Sequence, residues 1–353
     1  MSFAEEETAA MKQALELARR GVRGANPLVG AVILAPSGEV LATGFHRGAG
    51  TPHAEADALA SAAAAGADVR GATMVVTLEP CNHTGRTGPC SRAILRAGIA
   101  RVVYAAADTN DDAAGGADAL AAGGLEVAGG LLADASRELN HRWADSVASG
   151  RPFVTVKTAQ TLDGLTAAAD RTSQWITSPE ARADAQDLRL RADAILAGTG
   201  TVQADDPRLT ARHPDGSDAV KQPLRVVMGH TPVPGEARVR GTDGRFLQIQ
   251  THDPAVVLAE LHDRGVRHLM VEGGGTVAGA FLRAGLADEL VAYTAPALLG
   301  AGTPAFGGLG IQTMAQVSRW RWDPAGGGAA VPVGLDLRLH LEPLPDFVND
   351  PKE

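Results

Sequence analysis

The feature that most constrains this chain is the position of its two cysteines, which lie close together. Cys81 and Cys90 are separated by eight residues in a chain of 353, and His53 lies upstream of them. Thiolate and imidazole are ligands that zinc prefers, and three such ligands leave one of the four tetrahedral positions open. An open position is typical of a catalytic zinc site, because it can hold a water molecule whose pKa the metal lowers towards neutrality.

Glu55 follows His53 by two residues. It is close enough to carry a proton between an attacking water and a departing amine without binding the metal. A His-x-Glu motif followed by Pro-Cys and a second cysteine is the pattern of the zinc nucleobase deaminases. The general pattern has only two residues between its cysteines, so the spacing in this chain is wider.

Each part of this motif has a simpler interpretation when it is taken alone. His-Ala-Glu at a helix start is usually a cap region with a solvated carboxylate, and two cysteines can form a disulfide. The acidic N-terminal residues do not resemble a secretory signal. For a cytosolic protein, metal binding is the better interpretation of such a cysteine pair.

The net charge and the hydrophobicity of the chain disfavour two kinds of partner, nucleic acid and membrane. The formal net charge is −9, and Lys and Arg form no cluster that could bind a phosphate backbone, which disfavours a nucleic-acid substrate. No apolar run reaches the roughly 18 residues of a membrane span. We therefore expect a cytoplasmic protein that acts on a small molecule, with neither nucleic acid nor membrane as partner.

The length is sufficient for two domains. Hydrophobic patterning predicts an α/β first domain, residues 1–149, with helices at 5–21 and 131–149. The alanine cluster at 58–65 predicts a helix that His53 opens, whereas the cluster at 112–124 predicts a loop. The predicted strands of this domain are 29–34, 39–45, 73–78, 101–106 and 125–127.

The second domain, residues 150–345, is predicted to contain a mainly parallel, doubly wound sheet. Its predicted strands are 153–159, 194–198, 224–228, 246–250, 268–272 and 290–294. Glu272 and three glycines lie between a strand and a predicted helix at 277–285, where they could receive a phosphate or form a plain turn. On their own, Trp175 would be a core residue and Arg189 part of a solvated helix face.

Several motifs in both halves resemble the bifunctional deaminase/reductase family of riboflavin biosynthesis. The resemblance covers nearly the whole chain in the order of the family. It is carried by residues 26–30, 53–55, 79–90, 151–157, 162–164, 175–177, 198–202, 204–210 and 272–274.

This resemblance implies a cytidine-deaminase-like three-layer α/β domain followed by a dihydrofolate-reductase-like α/β domain. It implies zinc, one ion per chain, and NADPH as cofactors. The implied substrate is 2,5-diamino-6-ribosylamino-4(3H)-pyrimidinone 5′-phosphate, which is deaminated before its ribosyl group is reduced to a ribityl chain. The family also favours a homo-oligomer.

The resemblance further implies a role for individual residues. His53, Cys81 and Cys90 match the zinc ligands, and Glu55 matches the proton relay. The positions that match deaminase substrate contacts are Asn26, His83, Arg86, Asp108 and Asn110. The positions that match reductase substrate contacts are Lys157, Ser173, Thr177, Arg189, Leu209, Arg212 and Glu272. The positions that match cofactor contacts are Ala159, Trp175, Thr201, Asp205, Gly274, Gly275, Thr276, Val277, Ala278, Gly279 and Ala280.

The chemistry of three of these residues agrees with the resemblance. The cations Lys157, Arg189 and Arg212 suit a ribose 5′-phosphate, which arginine can bind through two hydrogen bonds.

Two other classes of protein remain open at this point. A zinc deaminase of a free base or nucleoside, fused to a non-catalytic nucleotide-binding domain, would share the first half of the chain. A structural or regulatory protein would keep the zinc without hydrolysis, although such a protein has no need of Glu55.

Overall fold

The computed structural model describes residues 3–21, 26–48, 50–82, 88–108, 115–213, 215–322 and 330–344. The chain divides into two units, Met1–Ser149 and Gly150–Glu353. Every helix in the described ranges is too short or too polar to span a bilayer.

The first unit is built on a five-stranded sheet. Its strands are β1 (Gly30–Leu34), β2 (Val40–Phe45), β3 (Thr73–Leu78), β4 (Arg101–Ala106) and β5 (Glu126–Gly129). Their order across the sheet is β2-β1-β3-β4-β5. Strand β1 is antiparallel to both of its neighbours, whereas β3, β4 and β5 are parallel.

Helices cover both faces of this sheet. They are α1 (Glu5–Ala18), α2 (Ala54–Ala64), α3 (Cys90–Ala97), α4 (Gly116–Ala122) and α5 (Ala133–Ser149). Helices α1 and α5 pack on one face, against a buried cluster that includes Val32, Val75 and Val103. Helices α2, α3 and α4 pack on the opposite face, around Ile33 and Met74. The alternation of strand side chains between two apolar faces thus produces the expected three-layer domain.

The predicted loop at 112–124 is wrong for the part of that segment which the structure describes. Residues Gly116–Ala122 form α4, with Leu120 fully buried against the sheet. Alanine has the highest helix propensity, and a single buried leucine is enough to anchor these two turns.

The second unit is built on a nine-stranded sheet whose centre is parallel. The six predicted strands are present as β6 (Phe153–Thr161), β8 (Ala194–Gly198), β9 (Leu224–Met228), β10 (Phe246–Ile249), β11 (His268–Val271) and β12 (Glu289–Ala295). Their order is β10-β9-β8-β11-β6-β12, and all their pairings are parallel. The carboxyl ends of β6, β8 and β11 therefore meet at one edge of the sheet.

Five further strands were not predicted. Strands β14 (Trp320–Trp322), β15 (Ala330–Val333) and β16 (Asp336–Pro343) extend the sheet in antiparallel fashion beyond β12. Strands β7 (Leu165–Ala168) and β13 (Gly302–Pro304) form a separate antiparallel pair.

The helices of the second unit are α6 (Pro179–Arg191), α7 (Thr199–Asp205), α8 (Pro254–Asp263) and α9 (Gly275–Arg283), with short 3₁₀ turns at Arg238–Arg240 and Met314–Gln316. Helices α8 and α9 pack on one face of the sheet. Helices α6 and α7 contribute to the buried clusters of the other face. Lys157 and Tyr293 lie on the face that α6 covers.

Candidate active sites

Three elements of the first unit bring the predicted metal ligands together. His53 is the N-cap residue of α2, Cys81 follows β3 closely, and Cys90 is the first residue of α3. The backbone amide of Ser91 donates to the carbonyl of Cys81 at 3.2 Å, which ties the strand end to the helix start. One ligand atom from each of the three residues lies within 4.8 Å of the others.

The spacing of these ligand atoms fits zinc. The Nδ1 atom of His53 lies 3.5 Å from Sγ of Cys81 and 3.4 Å from Sγ of Cys90. Tetrahedral zinc, with bonds of about 2.3 Å to sulfur and about 2.0 Å to nitrogen, requires a sulfur to nitrogen distance of about 3.5 Å. Both thiols are free and buried, and the hydrogen bond with Cys90 lowers the pKa of Cys81, which favours the thiolate that zinc binds.

Glu55 lies in the first turn of α2 with its side chain inside the protein. Only 3% of the residue is exposed, and burial raises the pKa of its carboxyl to about 7. The Cys90 side chain acts in the opposite direction and lowers the pKa of this carboxyl. A buried carboxyl group beside the metal ligands, with a pKa near neutrality, can both accept and donate a proton.

Asn26 and Asp108 also lie beside this site. The Nδ2 atom of Asn26 is 3.1 Å from Nε2 of His46, and the rings of His46 and His53 make an edge contact at 5.4 Å. The hydrogen bond to Cys81 raises the pKa of His53, and the charges of Glu55 and Asp108 act in the same direction. The predicted contacts His83, Arg86 and Asn110 lie outside the described residues.

In the second unit, charged residues predicted to contact substrate converge at the carboxyl edge of the parallel sheet. Glu272 directly follows β11 and forms a double hydrogen bond with Arg189 of α6, with Nε to Oε1 at 2.8 Å and Nη2 to Oε2 at 2.6 Å. Burial alone would raise the pKa of Glu272, but the charges of Arg189 and Lys157 lower it to about 2. Burial and the charge of Arg189 lower the pKa of Arg212, and the charge of Arg212 in turn helps to lower the pKa of Glu272.

Arg189 therefore does not belong to a solvated helix face, as its sequence context alone suggested. Its guanidinium pairs with Glu272 and donates to the carbonyl of Thr210 at 2.9 Å. Sequence context alone placed Trp175 in the core, but 69% of the residue is exposed. The guanidinium of Arg182 lies 4.3 Å from the centre of the Trp175 ring and supports it from one side.

Hydrogen bonds involve five of the remaining predicted residues. Oγ of Ser173 lies 3.4 Å from Oδ1 of Asp205, and the backbone amide of Gly274 donates to Oγ1 of Thr201 at 3.2 Å. Arg182 donates to the carbonyl of Thr177 at 2.6 Å. The other positions are placed by the fold alone: Ala159 is on β6, Leu209 is buried in the core, and residues 275–280 lie in α9, directly after its N-cap Gly274.

Comparisons with known proteins match both units. Residues 4–106 match the family model described as the cytidine and deoxycytidylate deaminase zinc-binding region, and residues 152–326 match that of the RibD C-terminal domain. The riboflavin biosynthesis protein RibD of Mycobacterium tuberculosis H37Rv is 47% identical over 324 residues, which cover 91% of this chain and 92% of that protein. RibD of Escherichia coli K12 is 39% identical and covers 94% of this chain and 98% of its own length. The chain belongs to the RibD family.

Solved RibD structures also share the fold over nearly the whole chain. Acinetobacter baumannii RibD superposes with a TM-score of 0.87 at 35% identity, over 97% of this chain and 99% of that one. A Thermotoga maritima diaminohydroxyphosphoribosylaminopyrimidine deaminase/5-amino-6-(5-phosphoribosylamino)uracil reductase superposes with a TM-score of 0.84 at 31% identity, over 96% and 99% of the two chains.

As a RibD-family member, the protein is a bifunctional deaminase and reductase of riboflavin biosynthesis. Its first unit has a zinc-binding deaminase fold, and its second unit has the reductase fold of RibD, whose cofactor is NADPH. The match over both units argues against a nucleoside deaminase that is merely fused to a non-catalytic domain.

His46 was not among the residues predicted from the sequence, although it lies between Asn26 and His53 in this RibD-family deaminase unit. Only 2% of His46 is exposed. Its Nδ1 atom lies 2.9 Å from the carbonyl of Pro52, so that nitrogen carries the proton and Nε2 accepts from Asn26. A single histidine after a strand has no characteristic spacing, and its position next to His53 becomes visible only in the fold.

Two glycines of α9 allow this helix to approach the segment 304–307 closely. A Cβ atom at Gly275 would lie 2.1 Å from the carbonyl oxygen of Pro304, and one at Gly279 would lie 1.7 Å from that of Gly307. These positions therefore exclude every other residue unless the backbone moves. The predicted cofactor contacts at 274–280 therefore lie at the start of a helix that is tightly packed at two points.

We expect Gly279→Ala to destabilise the second unit. The clash with a backbone carbonyl should cost about 3 kcal/mol, at the upper end for overpacking, which exceeds the roughly 1 kcal/mol gained from the higher helix propensity of alanine. Gly274→Ala is the matched control, since its Cβ would lie 3.5 Å from Oγ1 of Thr201, an ordinary contact. Thermal unfolding of both variants measures the difference. A Gly279→Ala protein as stable as the wild type would contradict this packing.

Proposed function

We propose that residues 1–149 deaminate 2,5-diamino-6-ribosylamino-4(3H)-pyrimidinone 5′-phosphate. We further propose that residues 150–345 reduce the ribosyl group of the product to a ribityl chain with NADPH. The product of the two steps is 5-amino-6-ribitylaminouracil 5′-phosphate. The observation that carries this proposal is the burial of Glu55 beside a three-ligand group that fits catalytic zinc.

In the proposed deaminase site, His53, Cys81 and Cys90 hold the metal. A zinc ion held by these residues would lower the pKa of a water molecule and so make it a nucleophile near neutral pH. Glu55 accepts a proton from this water as it adds to the ring carbon that bears the 2-amino group. Glu55 then gives a proton to the departing nitrogen, so that one ammonia leaves and one carbonyl forms.

The carboxyl group of Glu55 is well placed for these two transfers. It is buried, lies two residues after His53 and is not one of the three grouped ligands, which supports a role beside the metal rather than in binding it. Burial raises the pKa of this carboxyl, which favours a group that acts as a base and then as an acid. Asn26 and Asp108 are proposed to hold the pyrimidine, together with His83, Arg86 and Asn110.

In the proposed reductase site, Lys157, Arg189, Arg212 and Glu272 bind the ribotide. NADPH bound there would supply a hydride to C1′ as the C1′–O4′ bond of the sugar ring opens and O4′ takes up a proton, and the protein would orient the two molecules. The ion pair between Arg189 and Glu272 fixes both side chains. Less side-chain entropy is therefore lost when the substrate binds. Ser173, Thr177 and Leu209 are proposed to complete the substrate contacts. The proposed cofactor contacts are Ala159, Trp175, Thr201, Asp205 and residues 274–280.

One experiment tests the two activities and their order. Zinc-loaded protein is mixed with the diaminopyrimidine ribotide and NADPH, and ammonia and NADPH absorbance are followed in parallel. We expect NADPH loss to lag and then to follow ammonia release. Ammonia release without NADPH loss would contradict the reductase assignment, and the absence of both signals would contradict the substrate.

We expect Lys157→Ala to lower kcat/KM for NADPH oxidation about 100-fold, because removal of a charged hydrogen-bonding group costs about 3 kcal/mol. Deamination should be unchanged, since the zinc ligands lie in the other unit. Lys221→Ala is the matched control, because Lys221 is half-exposed and pairs with Asp193 at 3.9 Å. Loss of both activities in a folded Lys157→Ala protein would contradict the separation of the two sites.

We also propose a cytoplasmic location and a homo-oligomer. The two free, buried thiols support a reducing compartment. The oligomer is carried over from the family, and light scattering coupled to gel filtration measures it. A monomer at assay concentration would contradict it.

A further inference from the structure

The Lys157 side chain lies over the ring of a tyrosine that has no proposed role so far. Its Nζ atom is 5.7 Å from the centre of the Tyr293 ring. In the register of β6 and β12, Lys157 pairs with Val291 and Tyr293 pairs with Ala159. Lys157 and Tyr293 are therefore diagonal neighbours on the same face of the sheet, a spacing that long and aromatic side chains can bridge.

Two charged residues hold the far end of this tyrosine. Its hydroxyl donates to Oδ2 of Asp184, on α6, at 2.5 Å. Arg338, on β16, donates from Nη1 to both carboxylate oxygens of Asp184 at 2.9 Å. Burial and the neighbouring carboxylate raise the pKa of Tyr293, so the hydroxyl remains a donor. Only 1% of Tyr293 is exposed, and its ring has little freedom to move.

The electrostatic surroundings of Lys157 explain why a ring is useful at this point. Burial lowers the pKa of Lys157, Glu272 opposes this effect, and Arg189 adds to it. Both carboxylate oxygens of Glu272 already accept hydrogen bonds from Arg189, one from Nε and one from Nη2. An aromatic face attracts an ammonium group without neutralising its charge, so the amine keeps its hydrogens for a ligand.

We propose that Tyr293, held by Asp184 and Arg338, is a positioning residue that directs the Lys157 amine into the reductase site. This inference rests on the proposed role of Lys157 in binding the ribotide. Under the competing explanation, Tyr293 only fills the core between α6 and the sheet, where it packs with Ala181, Ala185 and Val291.

Substitutions of Tyr293 separate the two explanations by substrate affinity. The dissociation constant of the deaminated ribotide is measured calorimetrically without NADPH, so that no turnover occurs. Tyr293→Leu removes the ring, and we expect it to weaken binding about 10-fold, within the range of a desolvated cation–π contact. Tyr293→Phe keeps the ring, so we expect binding within about 3-fold of the wild type. Equal losses in both variants would overturn the proposal. Ammonia release by the first unit serves as the internal control.

A double-mutant cycle with Lys157→Ala tests whether Tyr293 acts through this lysine. We expect Tyr293→Leu to cause no further loss of affinity once Lys157 is absent. The same loss in both backgrounds would show a purely structural role and overturn the inference alone. Unchanged affinity in Lys157→Ala itself would overturn the proposed role of Lys157, and the inference with it.

Asp184→Asn provides the same test if Tyr293→Leu does not fold. This variant leaves the Tyr293 ring in the core but weakens the hydrogen bonds that residue 184 accepts from Tyr293 and Arg338. We expect about a 3-fold loss of affinity in the wild-type background and none in Lys157→Ala. A loss that is equal in both backgrounds would again overturn the positioning role.

Discussion

Replacing Glu55 with glutamine is expected to abolish ammonia release while one zinc ion per chain remains bound. The amide has the same shape but cannot accept a proton from water, and general acid–base groups contribute about 10²- to 10⁴-fold to a rate. Zinc should remain because the ligand group consists of His53, Cys81 and Cys90. Metal content and ammonia release under saturating substrate measure the two expectations.

Two controls test whether the loss of ammonia release is specific to Glu55. Glu16→Gln changes an exposed carboxylate in the same unit, with a side chain 73% accessible, and it should have no effect on deamination. NADPH oxidation with previously deaminated substrate should also be normal in the Glu55→Gln protein. A variant that still deaminates at the wild-type rate would rule out Glu55 as the proton carrier.

Replacing Cys81 with serine should remove the metal and, with it, all deamination. A serine hydroxyl is a poor ligand for zinc at neutral pH, whereas the thiolate is one of three ligands that the site requires. We expect the zinc content to fall from one ion per chain to a small fraction of that value. Elemental analysis after dialysis measures this fall, and ammonia release measures its effect.

Ser91→Ala is the matched control for the cysteine variant. Ser91 is the neighbour of Cys90 and donates to Oδ1 of Asn82 at 2.8 Å, so this change removes a hydroxyl without removing a ligand. Reduction of deaminated substrate should continue in Cys81→Ser. Unchanged zinc content in that variant would mean that other residues hold the metal.

The group of three metal ligands could be predicted because residue type and short spacing encode it. His53 and Glu55 are two residues apart on one helix start, and the two cysteines bracket one connection between a strand and a helix. His46 could not be found in this way, since its contact with His53 depends on how β2 and the loop after it fold.

The residues of the reductase unit were harder to predict from residue type and spacing alone. Arg189 and Glu272 are 83 residues apart, and only the fold brings α6 to the end of β11. Patterning alone assigned Arg189 to a solvated face, and the family resemblance was needed to place it in a site. Tyr293 resembles any aromatic residue of a buried strand until its partner Asp184 is known.

Strands β14, β15 and β16 of the second sheet were not predicted, and the reason is different. Leucines at 337, 339 and 341 alternate with polar residues along β16, which is a usable period-two signal. Strands β14 and β15 are only three and four residues long and pair with β16. Segments this short carry too few residues for a pattern to be recognised, and their structure is determined by the strand that they join.

The origin of the zinc ligands at three separate element ends has a thermodynamic consequence. An unfolded chain holds these groups far apart, so the metal binds the folded deaminase unit preferentially. Each tenfold rise in free zinc above the dissociation constant then adds about 1.4 kcal/mol to the free energy of unfolding. The reductase unit has no such dependence on the proposed ligands. Metal scarcity would therefore impair one half of a single polypeptide selectively, and the diaminopyrimidine would accumulate although reducing capacity remained intact.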